Sequence, residues 1–188
     1  MKKPSLTLAD YKAAAHVLGC DVAAVRAVTA VESSGQGFLA DGRLVLRFEP
    51  HIFSRYTKGL FDEAYPHLSY PRWVTGYPKS INHSYELFRE AVSLSPYYAG
   101  LSCSYGLFQV MGFNFTTCGC KTFKEFYQKM EESEASQLLL FCRYVQLAGL
   151  DDELRDHRWA SFARAWNGAL YQRNRYDQKL AQAHARYA

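Results

Sequence analysis

Between Asp21 and Pro50 the sequence DVAAVRAVTAVESSGQGFLADGRLVLRFEP leaves the chain few options. Asp21 is a good helix N-cap. Ala23, Ala24 and Ala27 favour helix, and Val25, Val28 and Val31 set an apolar stripe at helical spacing. Ser33, Ser34, Gly35 and Gly37 follow at once, so the helix stops near Glu32. Glu32 is then a carboxyl group at the C-terminal end of a largely apolar helix. The helix dipole is negative there and the valine face is dry, and both effects favour the protonated acid. A carboxylic acid held protonated near neutral pH is what a general acid needs. The plainer alternative is a glutamate that merely ends a helix in solvent. After the break, GFLADGRLVLRFE reads as a β-hairpin with Asp41-Gly42 as its two-residue turn. Leu44, Leu46 and Phe48 then share one face, and Val45, Arg47 and Glu49 the other.

Size and composition set the frame. A chain of 188 residues is long enough for one sizeable core and short for two, so 1–188 reads as a single domain. A formal charge of +4, spread along the chain, suits an anionic polymer without demanding one. The basic C-terminal stretch (Arg173, Arg175, Lys179, Arg186) carries no recognition motif and reads as a solvated helix face, so no nucleic acid is expected. The start MKKPSLTLADYK has no apolar run behind it, and no stretch approaches a membrane span, so neither a signal peptide nor membrane insertion is expected. Five cysteines at irregular spacing fit reduced thiols in a protein made in the cytoplasm. Cys118-Gly-Cys120 lacks zinc-site spacing, so the expected metal and cofactor content is none.

Taken in order, the chain is mostly helical. Helices are expected over Thr7–Leu18, Asp21–Glu32, Pro50–Lys58, from an Asn82 cap to about Leu94, from a Thr122–Glu125 capping box, from Ser133 to about Ala148, over Arg158–Trp166 and over Tyr171–Tyr187. Gly59–Ser80 reads as a loop studded with aromatic rings, either a satellite core or stacking platforms for sugars. Ser95–Cys120 holds SCSYGLFQVMGFNF, an apolar, glycine-punctuated stretch carrying one amide, Gln109. The fold class is α+β, predominantly α-helical, with a small β-hairpin after the Glu32 helix.

Glu32-Ser33 at a helix end, Gly106-Leu107-Phe108-Gln109-Val110-Met111, and Trp166-Asn167-Gly168 resemble, in order, three motifs of the lysozyme superfamily, in particular its goose-type lysozyme and soluble lytic transglycosylase branches. More closely, nearly the whole chain is similar to the N-acetylmuramidase catalytic domain of phage endolysins. VESSGQGFLADGR, RFEPHIF, SYGLFQVMGFN, FARAWNG and NRYDQKLA carry that similarity.

The resemblance implies a lysozyme-like domain that cuts peptidoglycan glycan strands between N-acetylmuramic acid and N-acetylglucosamine. It implies that Glu32 protonates the leaving oxygen. Hen-type lysozyme, a distant relative, is the known case of an apolar pocket raising a glutamate's pKa. Gln109 and Asn167 match cleft-lining positions, where an uncharged amide suits N-acetyl and hydroxyl groups. Tyr105 and Trp166 offer flat faces to sugar rings, although Trp166 replaces the motif's usual tyrosine. Ser33 either bonds the acid or caps the helix end. A hydrolase also needs a base, and Glu49 is the candidate, held ionised by Arg47 on the same strand face, with Asp41 as the rival. Other readings are a lytic transglycosylase using Glu32 alone, a non-catalytic wall-binding module, and a cysteine hydrolase built on Cys103. The expected protein is a monomer that acts on the cell wall after release or injection, as a lysis enzyme or an antibacterial toxin.

Overall fold

The computed structural model describes residues 3–33, 35–168 and 171–188. Helix α1 (Leu8–Leu18) opens on a reciprocal cap, with the Thr7 hydroxyl accepting from the Asp10 N–H and the Asp10 carboxylate accepting from the Thr7 N–H. Asp21 then caps α2 (Val22–Glu32) by accepting from the Ala24 N–H at 2.6 Å. Ala23, Ala24, Val25, Ala27 and Val28 are all buried, so α2 runs through the core rather than along its surface. Burying the two valines is worth about 3–6 kcal/mol, against about 1 kcal/mol for the cap, so packing holds this helix.

The hairpin after α2 is smaller than the sequence suggests. Phe38 and Leu44 form a single antiparallel bridge, and the Gly42 N–H closes a turn onto the Leu39 carbonyl. The loop has three residues, with Gly42 in the left-handed region at φ 87, rather than the expected two-residue turn. The regular sheet is built from strands further on. β1 (Leu46–Phe48), β2 (Cys103–Tyr105) and β3 (Val110–Met111) form an antiparallel sheet in that order. Leu46, Tyr105 and Val110 face one another across it and are buried in the core. Arg47, Ser104 and Met111 form the opposite face. The two strands within Ser95–Cys120 escape the sequence reading because strands of three and two residues between glycines carry too little alternation.

The remaining helices are α3 (Pro50–Thr57), α4 (Ile81–Leu94), α5 (Pro96–Leu101), α6 (Phe123–Glu132), α7 (Glu134–Leu147), α8 (Asp151–Arg155), α9 (Trp159–Asn167) and α10 (Tyr176–Tyr187). Ser80, not Asn82, caps α4, while Asn82 accepts from the Arg43 guanidinium. Glu125 reaches the Lys121 N–H rather than closing a box on Thr122. The short helices α5 and α8 were not expected, and Tyr171–Asn174 is a 3₁₀ turn, so the last helix begins later than the sequence suggests. In the aromatic loop, Phe61 stacks on Phe53 at 5.7 Å and Tyr65 packs on its edge, so these rings extend the main core rather than forming a separate one. Trp73 stays 63% exposed. Among the described residues no single helix is long and apolar enough to cross a membrane.

Helix α7 fixes both loops that lead into the site. Gln137, 1% exposed, accepts from the Leu107 N–H and donates to the Met130 carbonyl, each at 2.8 Å. Glu134 accepts from the Gly37 N–H at 2.7 Å. Neither loop glycine has room for a side chain, since a Cβ would meet the Gln137 amide at 2.1 Å from Gly37 and at 2.7 Å from Gly106. Gly106 also sits at φ 70. Gly106→Ala therefore combines about 1–2 kcal/mol of left-handed strain with about 1–3 kcal/mol of overpacking. Thermal denaturation is expected to show a Tm lower by about 5 °C or more. An unchanged Tm would mean that Gln137 yields its two hydrogen bonds freely.

Candidate active site

Glu32 is the last residue of α2, and Ser33 leaves the helix in extended conformation with its N–H still bonded to the Thr29 carbonyl. The Glu32 carboxyl opens into a cleft with a volume of about 340 Å³. Gln109, Val110 and Met111 line one side and Trp166, Asn167 and Tyr176 another. Three parts of the chain more than 50 positions apart thus meet at one carboxyl.

Burial pushes the Glu32 carboxyl above the ordinary carboxylate range. The Asn167 amide, donating to Oε1 at 3.0 Å, and the Lys179 charge pull it partway back. The amide therefore orients the carboxyl while burial keeps its proton affinity high. Gln109 takes the left-handed region at φ 49, uncommon for a residue with a Cβ. Its side chain is held at both ends, with Oε1 accepting from the Ser104 hydroxyl at 3.0 Å and Nε2 donating to the Gly106 carbonyl at 2.8 Å. One amide proton and one lone pair are left over for a ligand. Trp166 is half-buried, with its ring edge-on to Phe141 at 4.9 Å and Tyr144 at 5.1 Å. It is part wall and part packing.

Two sequence candidates stand elsewhere. Tyr105 is 0% exposed, its hydroxyl donates to the Gly100 carbonyl at 2.8 Å, and its ring packs against Phe126 and Tyr127. It is a core residue and cannot stack on a sugar. Strand alternation decides this, because Ser104 faces the Gln109 side and Tyr105 must face away. Ser33 does not line the Glu32 cleft but a separate cavity with Arg26 and Tyr187, and its hydroxyl accepts from the Gly35 N–H at 3.3 Å. Of the two roles open to Ser33, this contact belongs to the helix end.

Glu49 follows β1 and is also outside the lining of that cleft. The sheet register sets Arg47 opposite Ser104 and Ser104 opposite Met111, so the Arg47 backbone is ~10 Å from that of Met111. The Glu49 side chain is 16% exposed, with His51 Nδ1 3.6 Å from its carboxylate. Burial, then Tyr77, push the Tyr70 phenol of the aromatic loop up to about 12, and the nearby Glu49 charge adds a smaller push. Burial raises the Glu49 carboxyl as well, and Arg47 offsets this only in part. The expectation that Arg47 would hold Glu49 ionised while Glu32 alone is raised is therefore corrected: both carboxyls are raised. Asp41, the rival base, is exposed and tied to Arg43 at 2.7 Å, which lowers its carboxyl.

Sequence reasoning did not single out Met111, Asn114, Tyr144 and Tyr176, which also line the cleft. Met111, Asn114 and Tyr176 lie within the matched stretches SYGLFQVMGFN and NRYDQKLA, whereas Tyr144, on α7, lies outside them. Cys103 is buried, its thiol donates to the Ala99 carbonyl, and burial pushes it far up, so it is no nucleophile. The five cysteines are free.

The profile of the N-acetylmuramidase family matches residues 21–188, from the cap of α2 to the end of the chain, and so spans every residue of the cleft. The chain belongs to the N-acetylmuramidase family. This muramidase is also similar to the crystal structure of a Burkholderia AP3 phage endolysin, with a TM-score of 0.88 and 37% identity over 100% of this chain and 73% of that one. No curated protein sequence matches it. The muramidase is a glycoside hydrolase acting on peptidoglycan, mostly helical with a small three-stranded antiparallel sheet.

Proposed function

We propose that the muramidase hydrolyses the β-1,4 bond between N-acetylmuramic acid and N-acetylglucosamine, with Glu32 as general acid and Glu49 as base. The observation that carries this reading is the Glu32 carboxyl itself. It is raised by burial, held by Asn167 and set in a cleft between two amide-bearing walls. Glu32 gives its proton to the bridging oxygen as that bond breaks, and the sugar left behind develops oxocarbenium character. Glu49 takes a proton from the water that attacks the opposite face. Burial raises the Glu49 carboxyl, and Arg47 offsets this only in part toward the charged form that a base requires. Gln109 and Asn167 bind N-acetyl and hydroxyl groups, and Trp166 gives one sugar an apolar wall. One observation favours a lytic transglycosylase instead: Glu49 does not line the cleft that holds Glu32.

The substrate is the glycan strand of the wall, reached after release from the cytoplasm or after injection. The setting is bacterial lysis of the phage endolysin kind, with an injected antibacterial toxin as the alternative. The enzyme works as one catalytic domain and a monomer, without nucleic acid or membrane insertion.

The acid role is tested by the pH profile of Asn167→Leu. Activity requires protonated Glu32, so kcat/KM falls as pH rises through its pKa. The Asn167 N–H favours the ionised form, so removing it raises that pKa further. The alkaline limb of kcat/KM is expected to move to higher pH. A limb that stays in place would assign it to a group other than Glu32.

A further inference from the structure

At the other end of α2 from Glu32, three segments distant in sequence converge on one carboxylate. Asp21 caps the helix, His157 lies in the turn between α8 and α9, and His184 is on α10. His157 Nε2 lies 2.7 Å from Asp21 Oδ2, and His184 Nε2 lies 3.2 Å from both carboxylate oxygens. All three candidate ligand atoms lie within 4.8 Å of one another. We propose that Asp21, His157 and His184 bind a divalent transition-metal ion of the zinc class, with a fourth position open to water, and that the ion clamps α9 and α10 to the head of α2.

The donor set and its spacing support this. Zinc binds neutral imidazole nitrogen at ~2.0–2.1 Å and carboxylate oxygen at ~2.0–2.2 Å in tetrahedral geometry. Donor atoms around such an ion stand roughly 3.3 Å apart, so the His184 spacing already fits and that of His157 needs only a slight opening. With hydrogen bonds alone, both Nε2 atoms must point protons at a carboxylate whose Oδ1 already accepts from the Ala24 N–H. The imidazoles are also held in place. His157 takes the left-handed conformation at φ 55, which a residue with a Cβ adopts at a cost, and Trp159 stacks on it at 5.4 Å. The same indole lies 5.3 Å from His184. The sequence carries no motif for this site because its ligands lie at positions 21, 157 and 184.

The site is too far away to take part in bond cleavage. The 11 residues of α2 place it about 16 Å from Glu32 at 1.5 Å per residue. Its effect is on the cleft wall, since α9 carries Trp166 and Asn167 and α10 carries Tyr176. Arg26 over the Tyr187 ring at 4.0 Å is a second tie between α2 and α10.

The test uses the full chain after chelator treatment, titrated with ZnCl₂ and followed by thermal denaturation. At about a hundredfold excess over Kd the Tm is expected to rise by about 5 °C or more. The double variant His157→Gln/His184→Gln is expected to lose that rise and to keep its activity in chelator. Cobalt(II) on the wild-type chain is expected to give the visible absorption of a tetrahedral nitrogen–oxygen site without a thiolate charge-transfer band, and this readout stands even if the double variant fails to fold. No zinc-dependent rise, a rise that survives in the double variant, or a thiolate band pointing to the cysteines would each overturn the proposal.

Discussion

Glu32→Gln is expected to keep the fold and to lose at least about a hundredfold in turnover, within the 10²–10⁴ range usual for a general acid. The amide has the same shape, and its oxygen can still accept from Asn167 Nδ2. It has no proton to give. Stability should move the other way. The folded pKa of Glu32 is raised from its ordinary 4.5, so the stability it contributes is fully present below that value and is lost as pH rises through the folded pKa. Glutamine does not titrate. At neutral pH the variant should therefore melt at or above the wild-type temperature. A variant that loses activity and Tm together would point to a structural role for Glu32. One that keeps more than roughly a hundredth of the wild-type rate would remove it as the acid.

Glu49→Gln is the second large effect. It is expected to lose most activity, by a factor of about a hundred or more if Glu49 activates the water. The fold should persist, because Glu49 occupies the N-cap position of α3 without using its side chain as a cap. Its carboxylate lies against His51, whose imidazole burial and Arg55 hold below the ordinary histidine range. Because burial raises the Glu49 carboxyl too, a loss in kcat with a Tm at or above the wild-type value at neutral pH would match a base. A fully active Glu49→Gln would move the base elsewhere or leave the reaction without one, as in a transglycosylase. Asp41 is a poor substitute, since it forms the turn and pairs with Arg43 in solvent.

Much of this could be read from residues that act locally. Asp21, the alanines and valines, and the Ser33–Gly37 break place Glu32 at a dry helix end without reference to anything distant. The failures involve contacts between remote parts of the chain. Tyr105 beside the Gln109 motif is flat and polar-tipped, yet the pairing of β2 between β1 and β3 turns it into the core. The Asn167 contact with Glu32 spans 135 positions and the tie between Asp21 and His184 spans 163, so no window of sequence shows either. The sequence does not single out Gln137, and only the fold shows it filling the space that Gly37 and Gly106 leave open. Glu49 follows β1 as the N-cap of α3 and still feels the Arg47 charge, but sequence could not weigh Arg47 against burial at Glu49.

Mass spectrometry of peptidoglycan digested by the wild-type enzyme tests the central claim most directly. Hydrolysis with Glu32 as acid and water as nucleophile leaves N-acetylmuramic acid at the new reducing end and N-acetylglucosamine at the new non-reducing end. The expected products are muropeptides with reducible muramic acid ends and no 1,6-anhydro ends. Products ending in 1,6-anhydro-muramic acid would contradict hydrolysis, and reducing N-acetylglucosamine ends would contradict the assigned bond.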